Sequence, residues 1–299
     1  MNDAVLRLAF AGLHPDRLRG LVETYGVVGL VRRLEAGEID AALPAAAAAV
    51  RSAGRERLAE LAQAGIVAVE VGDSGYPMAL AELPDAPPAL FVRGVVPQVP
   101  MVAVVGTRRC TGYGRGLAFD YGAAIAAAGW GVVSGLARGI DGSAHRGVVA
   151  EGGLGVAVLG SGVDVVYPAE HTDLAVKLVA GGGAVISEYP PGTPPEGWRF
   201  PPRNRIISGM ASVVVVVEAP VTGGALITAG CALTQGRLVF ATPGDVRRAT
   251  SEGCNRLIRD GAHPVLDPDD LIAELSLVLG PPPTSRRTEK GMKRAASIQ

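Results

Sequence analysis

The chain has 299 residues, 48% of them hydrophobic and 19% charged, with a formal net charge of −1. That length holds one large α/β domain and a small companion, and the near-neutral balance excludes the global basic signature of many nucleic-acid binders. No apolar stretch approaches the length of a bilayer span, and MNDAVLRLAF at the N-terminus lacks the basic and apolar regions of a secretory signal.

In chain order, Leu6, Leu8, Leu18, Leu21, Val22, Val27, Leu30, Val31 and Leu34 recur at helical spacing between glycines. This predicts three or four short helices, followed by an Ala-rich helix from Pro44 to about Ala64, as a small helical domain over 1–64. Residues 66–100 read as strand with Pro/Gly turns, joining a sheet or bridging to it. From Met101, Val-rich runs at about 101–105, 131–133, 155–159, 184–187, 212–217 and 238–240 predict strands. Between them, helices are predicted near 114–128, 139–151, 170–180, 203–210 and 223–236, with a final one from about Pro268 to Leu279. This alternation implies βαβ units and a mostly parallel sheet over 65–280. The tail 281–299 has five basic residues and one acidic residue after a triple proline, and is expected to be disordered.

Glycine-rich turns with Ser, Thr or Arg follow the strands, where backbone N–H groups and helix N-termini can face an anion. Gly106-Thr107-Arg108-Arg109 is not a dinucleotide fingerprint, because Arg108 stands where the second glycine would be needed. No G-K-[ST] loop occurs. Arg108 either offers its permanent charge to a phosphate or base, or pairs with a carboxylate at the rim. Ser134 and Gly135 can present a hydroxyl and a bare N–H, while Asp141 caps the next helix or pairs with an arginine. Thr222-Gly223-Gly224 forms another anion nest at a helix start.

Trp198-Arg199-Phe200-Pro201-Pro202-Arg203-Asn204-Arg205 places two aromatics among three arginines, in a chain with only 4% aromatic residues. Aromatic faces with guanidinium groups suit the bases and backbone of single-stranded nucleic acid; the other reading is a loop plug over the sheet edge. Glu188 and Glu218 follow apolar strands and either act as acid or base or pair with rim arginines. His145 is expected to be structural. No nucleophile, catalytic histidine pair or metal spacing is present, and Cys110, Cys231 and Cys254 fit neither a disulfide framework nor a zinc site. The expectation is a cytoplasmic chain without metal or cofactor.

Taken together, GTRRCTGYG, SGLARGIDGSAH, AVLGSGVDVVYPAEH, ISEYPPGTPPEGWRFPPRNRIISGMA and VVVVVEAPVTGGALITAGCAL resemble the bacterial DNA-processing protein A family (DprA, also called Smf), in order, through ATPGD and SEGCNRLIRDGA. The resemblance covers roughly residues 66–270. It implies an extended Rossmann-like fold behind a sterile-alpha-motif-like helical domain, and a protein that binds single-stranded DNA without hydrolysing it. It further implies loading of RecA onto incoming strands in natural transformation, and a homodimer through the Rossmann-like domain. Carried over by motif, the DNA-binding residues would be Gly106, Thr107, Arg108, Ser134, Gly135, Arg199, Phe200, Arg203, Asn204, Arg205, Thr222, Gly223 and Gly224. The chain departs from the pattern at His171, where asparagine is expected, and at Thr-Gly-Gly in place of Ser-Gly-Ser. The resemblance does not extend to the C-terminal winged helix of many relatives. An alternative on a related fold is a nucleotide-processing enzyme of the phosphoribohydrolase type, although Val221-Thr222-Gly223-Gly224 lacks the proline and glutamate of its signature. A third reading, a structural partner-binding protein, would use the helical domain and the tail.

Overall fold

The computed structural model describes residues 1–39, 43–54 and 56–283, so the tail expectation lies, from 284 on, outside the described residues. Five helices come first: α1 (Asp3–Ala9), α2 (Pro15–Tyr25), α3 (Val27–Ala36), α4 (Pro44–Ser52) and α5 (Glu56–Gln63). The Ala-rich helix is thus two helices, α4 and α5. The sheet follows, with β1 (Ile66–Glu70), helix α6 (Met78–Ala81), β2 (Ala89–Gly94) and β3 (Met101–Val105). Next come α7 (Gly112–Ala127), β4 (Gly131–Ser134), α8 (Ile140–Ala150), β5 (Gly155–Leu159), α9 (Thr172–Ala180) and β6 (Ala184–Ser187). The chain closes with α10 (Phe200–Met210), β7 (Val213–Val216), α11 (Gly224–Thr234), β8 (Leu238–Ala241), α12 (Ala249–Arg259), β9 (His263–Pro264) and α13 (Pro268–Leu279).

Among the described residues the nine strands form one sheet in the order β1-β2-β6-β5-β4-β3-β7-β8-β9. Strands β3 to β9 pair in parallel with one another, while β2 runs antiparallel to both β1 and β6. Residues 66–100 thus supply an antiparallel edge. The parallel strands are covered on both faces, which is why Val213 to Val216 and Val102 to Val104 are all fully buried. From β3 the chain builds outward to β4, β5 and β6, then crosses back to place β7 on the other side of β3. That reversal is a topological switch point, and ligands of such sheets sit beyond the carboxyl ends of the strands there.

The helical segment is not independent of the sheet. Leu6 of α1 and Leu61 of α5 belong to the core cluster that holds Ile66, Phe91 and Val104, whereas Leu8, Leu18, Leu30, Leu34 and Val50 close a separate helical core. Two differences from the sequence reading have clear causes. Helix α10 starts at Phe200 rather than at 203, because Pro201 and Pro202 occupy its first turn, where no N–H is needed. Helix α12 and strand β9 were not anticipated, because only Gly253, Cys254 and Ser251 of α12 are buried among charged neighbours.

His145 on α8 is fully enclosed. Burial, reinforced by the nearby charges of His171 and Arg146, holds its imidazole neutral and pushes its pKa down to about 3. The folded value is below the ordinary one of 6.5, so this histidine's contribution is fully present above pH 6.5 and is lost as pH falls toward 3. At pH 4 the loss amounts to about 3 kcal/mol by linkage. Urea denaturation at pH 7 and pH 4 should show a much smaller acid loss in His145→Leu than in the parent chain.

Candidate nucleic-acid interface

The turn after β3 carries Arg108 outward at the switch point. Its base is tightly built: the N–H of Thr107 donates to the Glu218 carbonyl at 2.7 Å. A Cβ on Gly106 would lie 2.4 Å from the Ile140 side chain and 2.9 Å from the Glu218 carbonyl oxygen. Glycine there allows close packing, not a bare approach to ligand. Exposed Arg108 places its guanidinium 5.1 Å from the centre of the Phe200 ring, in cation–π range. Arg203, one turn along α10, lies 5.9 Å from the same ring, and the Tyr167 ring is 5.6 Å from it. Arg108, Gly135, Ala137, Arg138, Tyr167, Pro168, Phe200 and Arg203 thus line one cleft at the carboxyl ends of β3, β4 and β5.

Arg203 forms the floor. It is buried, and its Nη1 donates to the carbonyls of Gly135 (2.8 Å) and Val158 (2.5 Å). Burial lowers its pKa to about 10; the Asp141 carboxylate opposes that shift and the Arg108 charge adds to it. The guanidinium therefore remains charged at neutral pH, as a buried cation beneath a polar opening. Asp141 is buried too, and burial pushes its carboxyl upward against the Arg203 charge. At the mouth, Arg138 and Glu170 form an exposed bidentate pair at 2.8 and 2.7 Å.

Other predicted residues have different engagements. The Gly135 N–H donates to Asp141 Oδ2 at 3.1 Å, and the Ser134 hydroxyl donates to the Val104 carbonyl at 2.6 Å. Neither group faces an anion, because the βα turn uses them to close itself. Gly135 serves by its missing side chain: a Cβ there would meet Arg203 Nη1 at 2.1 Å. Arg205 turns to the opposite side of α10, where its Nη2 is 2.7 Å from Glu188 Oε1 and Asp85 lies 4.0 Å from its Nε. It is locked in a buried ion pair, outside the cleft. Arg199 packs between Tyr189 and Trp198, donates to the Pro194 carbonyl and pairs with Glu196 at 3.3 Å. Asn204 donates to the Gly224 carbonyl at 3.2 Å and so braces the start of α11. Thr222 and Gly224 are exposed there, and Gly223, the N-cap, has no side-chain cap. Trp198 stacks on His14 of the helical segment at 5.4 Å.

Among the described residues Glu218 makes no ion pair with a rim arginine. Its two oxygens accept from the Thr111 N–H (2.8 Å) and Thr111 hydroxyl (2.7 Å) at the start of α7. Tyr167 and Arg138 are cleft residues that the sequence reading did not select. Their signal was available in SGLARGID and VVYPAEH, two of the quoted motifs that end in turns at strand termini. Among the described residues no group of His, Cys, Asp and Glu is arranged to hold a metal, and no helix is long and apolar enough to cross a membrane.

Fold and cleft together define a Rossmann-like protein whose carboxyl-edge opening presents cations around an aromatic ring. The chain belongs to the DNA recombination-mediator protein A family, whose model matches residues 67–276. It is 43% identical to protein Smf of Escherichia coli over 68% of this chain and 55% of that protein. It is 38% identical to DNA processing protein DprA of Bacillus subtilis over 73% and 74% of the two chains. Against the first relatives, from E. coli and Synechocystis, the chain spans only about half of their length. The solved DNA processing protein A of Streptococcus pneumoniae superposes with a TM-score of 0.74 at 33% identity, covering 90% of this chain and 95% of that one. The Helicobacter pylori protein of the same name, whose single-stranded DNA binding mode has been described, superposes with a TM-score of 0.62 at 25% identity, covering 70% and 95%.

Proposed function

We propose that this chain binds single-stranded DNA in the Arg108–Phe200–Arg203 cleft and acts, as a homodimer in the cytoplasm, as a non-enzymatic mediator that loads RecA onto strands entering by natural transformation. The observation that carries the binding step is the convergence of two guanidiniums on one ring, 5.1 and 5.9 Å from its centre. Phe200 is half-buried, so only an unstacked base can reach it, and base–aromatic stacking contributes about 1–3 kcal/mol per base whatever the sequence. Arg108 and the start of α11 stand where phosphates would pass. RecA loading, the homodimer and the place in transformation rest on membership of the family.

Fluorescence anisotropy with labelled 20-mers tests the binding step: single strands should bind at least tenfold more tightly than the same sequence as duplex. Contact with about three to five phosphates should give a log–log salt slope of about −2 to −3.5. Equal affinity for duplex would refute the cleft as a single-strand site.

A further inference from the structure

A second opening lies on the other flank of the Thr107–Tyr113 turn, at the carboxyl ends of β7 and β8. It is a cavity of about 120 Å³ lined by Tyr113, Glu218, Thr242, Asp245, Arg248 and Ser251. We propose that this cavity receives a base of the same DNA strand and prefers bases that carry an exocyclic amino group. The inference rests on the single-strand reading above and adds a site and a specificity to it.

The one buried charged group, the Glu218 carboxylate, disfavours a phosphate in the interior. Glu218 is nine-tenths buried or more and forms the floor, while Asp245 lies exposed at the opening beside Arg248. Each Glu218 oxygen already accepts once from Thr111, which fixes the carboxylate's orientation and leaves a further lone pair on each. Close approach is built in: a Cβ on Gly114 would fall 2.4 Å from the carboxylate, so glycine at this point of α7 lets the floor sit where it does. A rigid acceptor without its own donor selects a ligand that donates. Cytosine offers an amino group at position 4, where thymine offers a carbonyl, and carboxylates read cytosine through that amino group.

The rim has the opposite character. Tyr113 is 59% exposed and presents a ring for stacking. Arg247 and Arg248 are exposed on the loop before α12, with Arg248 held only loosely by Asp245 at 3.8 Å. Cations at the rim and one buried carboxylate on the floor suit a backbone passing outside and a base turned inward. The two openings are joined by one turn, which carries Arg108 and exposed Arg109 at one end and Tyr113 at the other. From β4 to β8 the sheet crosses three strand spacings, about 14 Å at ~4.8 Å each, a distance a few nucleotides cover.

The test compares (dC)20 with (dT)20 by anisotropy on the full chain: cytosine carries the amino group at position 4, whereas thymine carries a carbonyl there, a hydrogen on N3 and a methyl on C5. The parent chain should bind (dC)20 at least fivefold more tightly. Glu218→Gln, which supplies a donor as well as an acceptor, should bring the ratio below twofold. Tyr113→Ala, at an exposed position that spares the fold, should weaken both polymers several-fold and shrink the ratio. Equal affinity of the parent chain for the two polymers, or an unchanged ratio in both variants, overturns the proposal. Loss of binding to both polymers in Arg108→Ala at the same time shows that the main cleft stands while the second site falls. If the parent chain binds neither polymer, the single-strand reading itself fails.

Discussion

Arg203→Ala is expected to destabilise the fold by about 3–5 kcal/mol and to remove most single-strand affinity in whatever fraction stays folded. The first effect follows from what the side chain leaves behind. Its Nη1 donates to the Gly135 and Val158 carbonyls, and its charge offsets the buried Asp141 carboxylate. Removing the guanidinium leaves two buried carbonyls short of a donor and the buried Asp141 carboxylate without the charge that offsets it, which together cost about that much. Urea denaturation at pH 7 measures the loss. Combining Arg203→Ala with Asp141→Asn should recover part of it, since the amide needs no countercharge, and a strictly additive double mutant would show that the two groups do not interact. Arg203→Lys, which keeps the charge without the two-carbonyl geometry, should be the mildest variant and leaves enough folded protein for the binding measurement.

Arg108→Ala should leave stability nearly unchanged and weaken binding to single strands about 10- to 150-fold, as expected for a charge-assisted contact worth about 1.5–3 kcal/mol. Arg108 is exposed and its ring contact is with Phe200, so its removal leaves no buried group unpaired. The weakening should be the same for every sequence, because a phosphate contact positions the strand without reading it. The log–log salt slope should also become shallower by about 0.7, the equivalent of one phosphate on a single strand. An unchanged slope would show that Arg108 touches no phosphate. The contrast between the variants separates the rim from the floor: Arg108 would act through the ligand, Arg203 through both the ligand and the fold.

The divergent fates of Arg199, Arg203 and Arg205 show where reading a sequence stops. The three lie within seven residues and look alike in a list of charges. On α10, residues two apart point about 200° apart around the axis, so Arg203 faces the cleft while Arg205 faces Glu188 across the helix. Arg199 precedes the helix, in a turn where two aromatic rings cover it. The glycine turns teach a related point. Gly106 and Gly135 were legible as breaks after strands, yet each serves a close approach of side chain or backbone that only the packed structure defines.

What the sequence determined by itself is the alternation of Val-rich runs with helices. Continuous β-branched runs can be satisfied only by burial on both faces, and that in turn requires a parallel sheet between helical layers. Its motifs also determined the family. Tertiary structure decided which groups meet: the crossing from β6 to β7, the pairing of Asp141 with the Gly135 turn, the seat of Glu218 on Thr111, and the gathering of Arg108, Tyr167 and Arg203 around Phe200. Those contacts join residues far apart along the chain. Local spacing carries no record of them, because their geometry depends on the order of strands in the sheet and on the direction in which each helix turns its side chains.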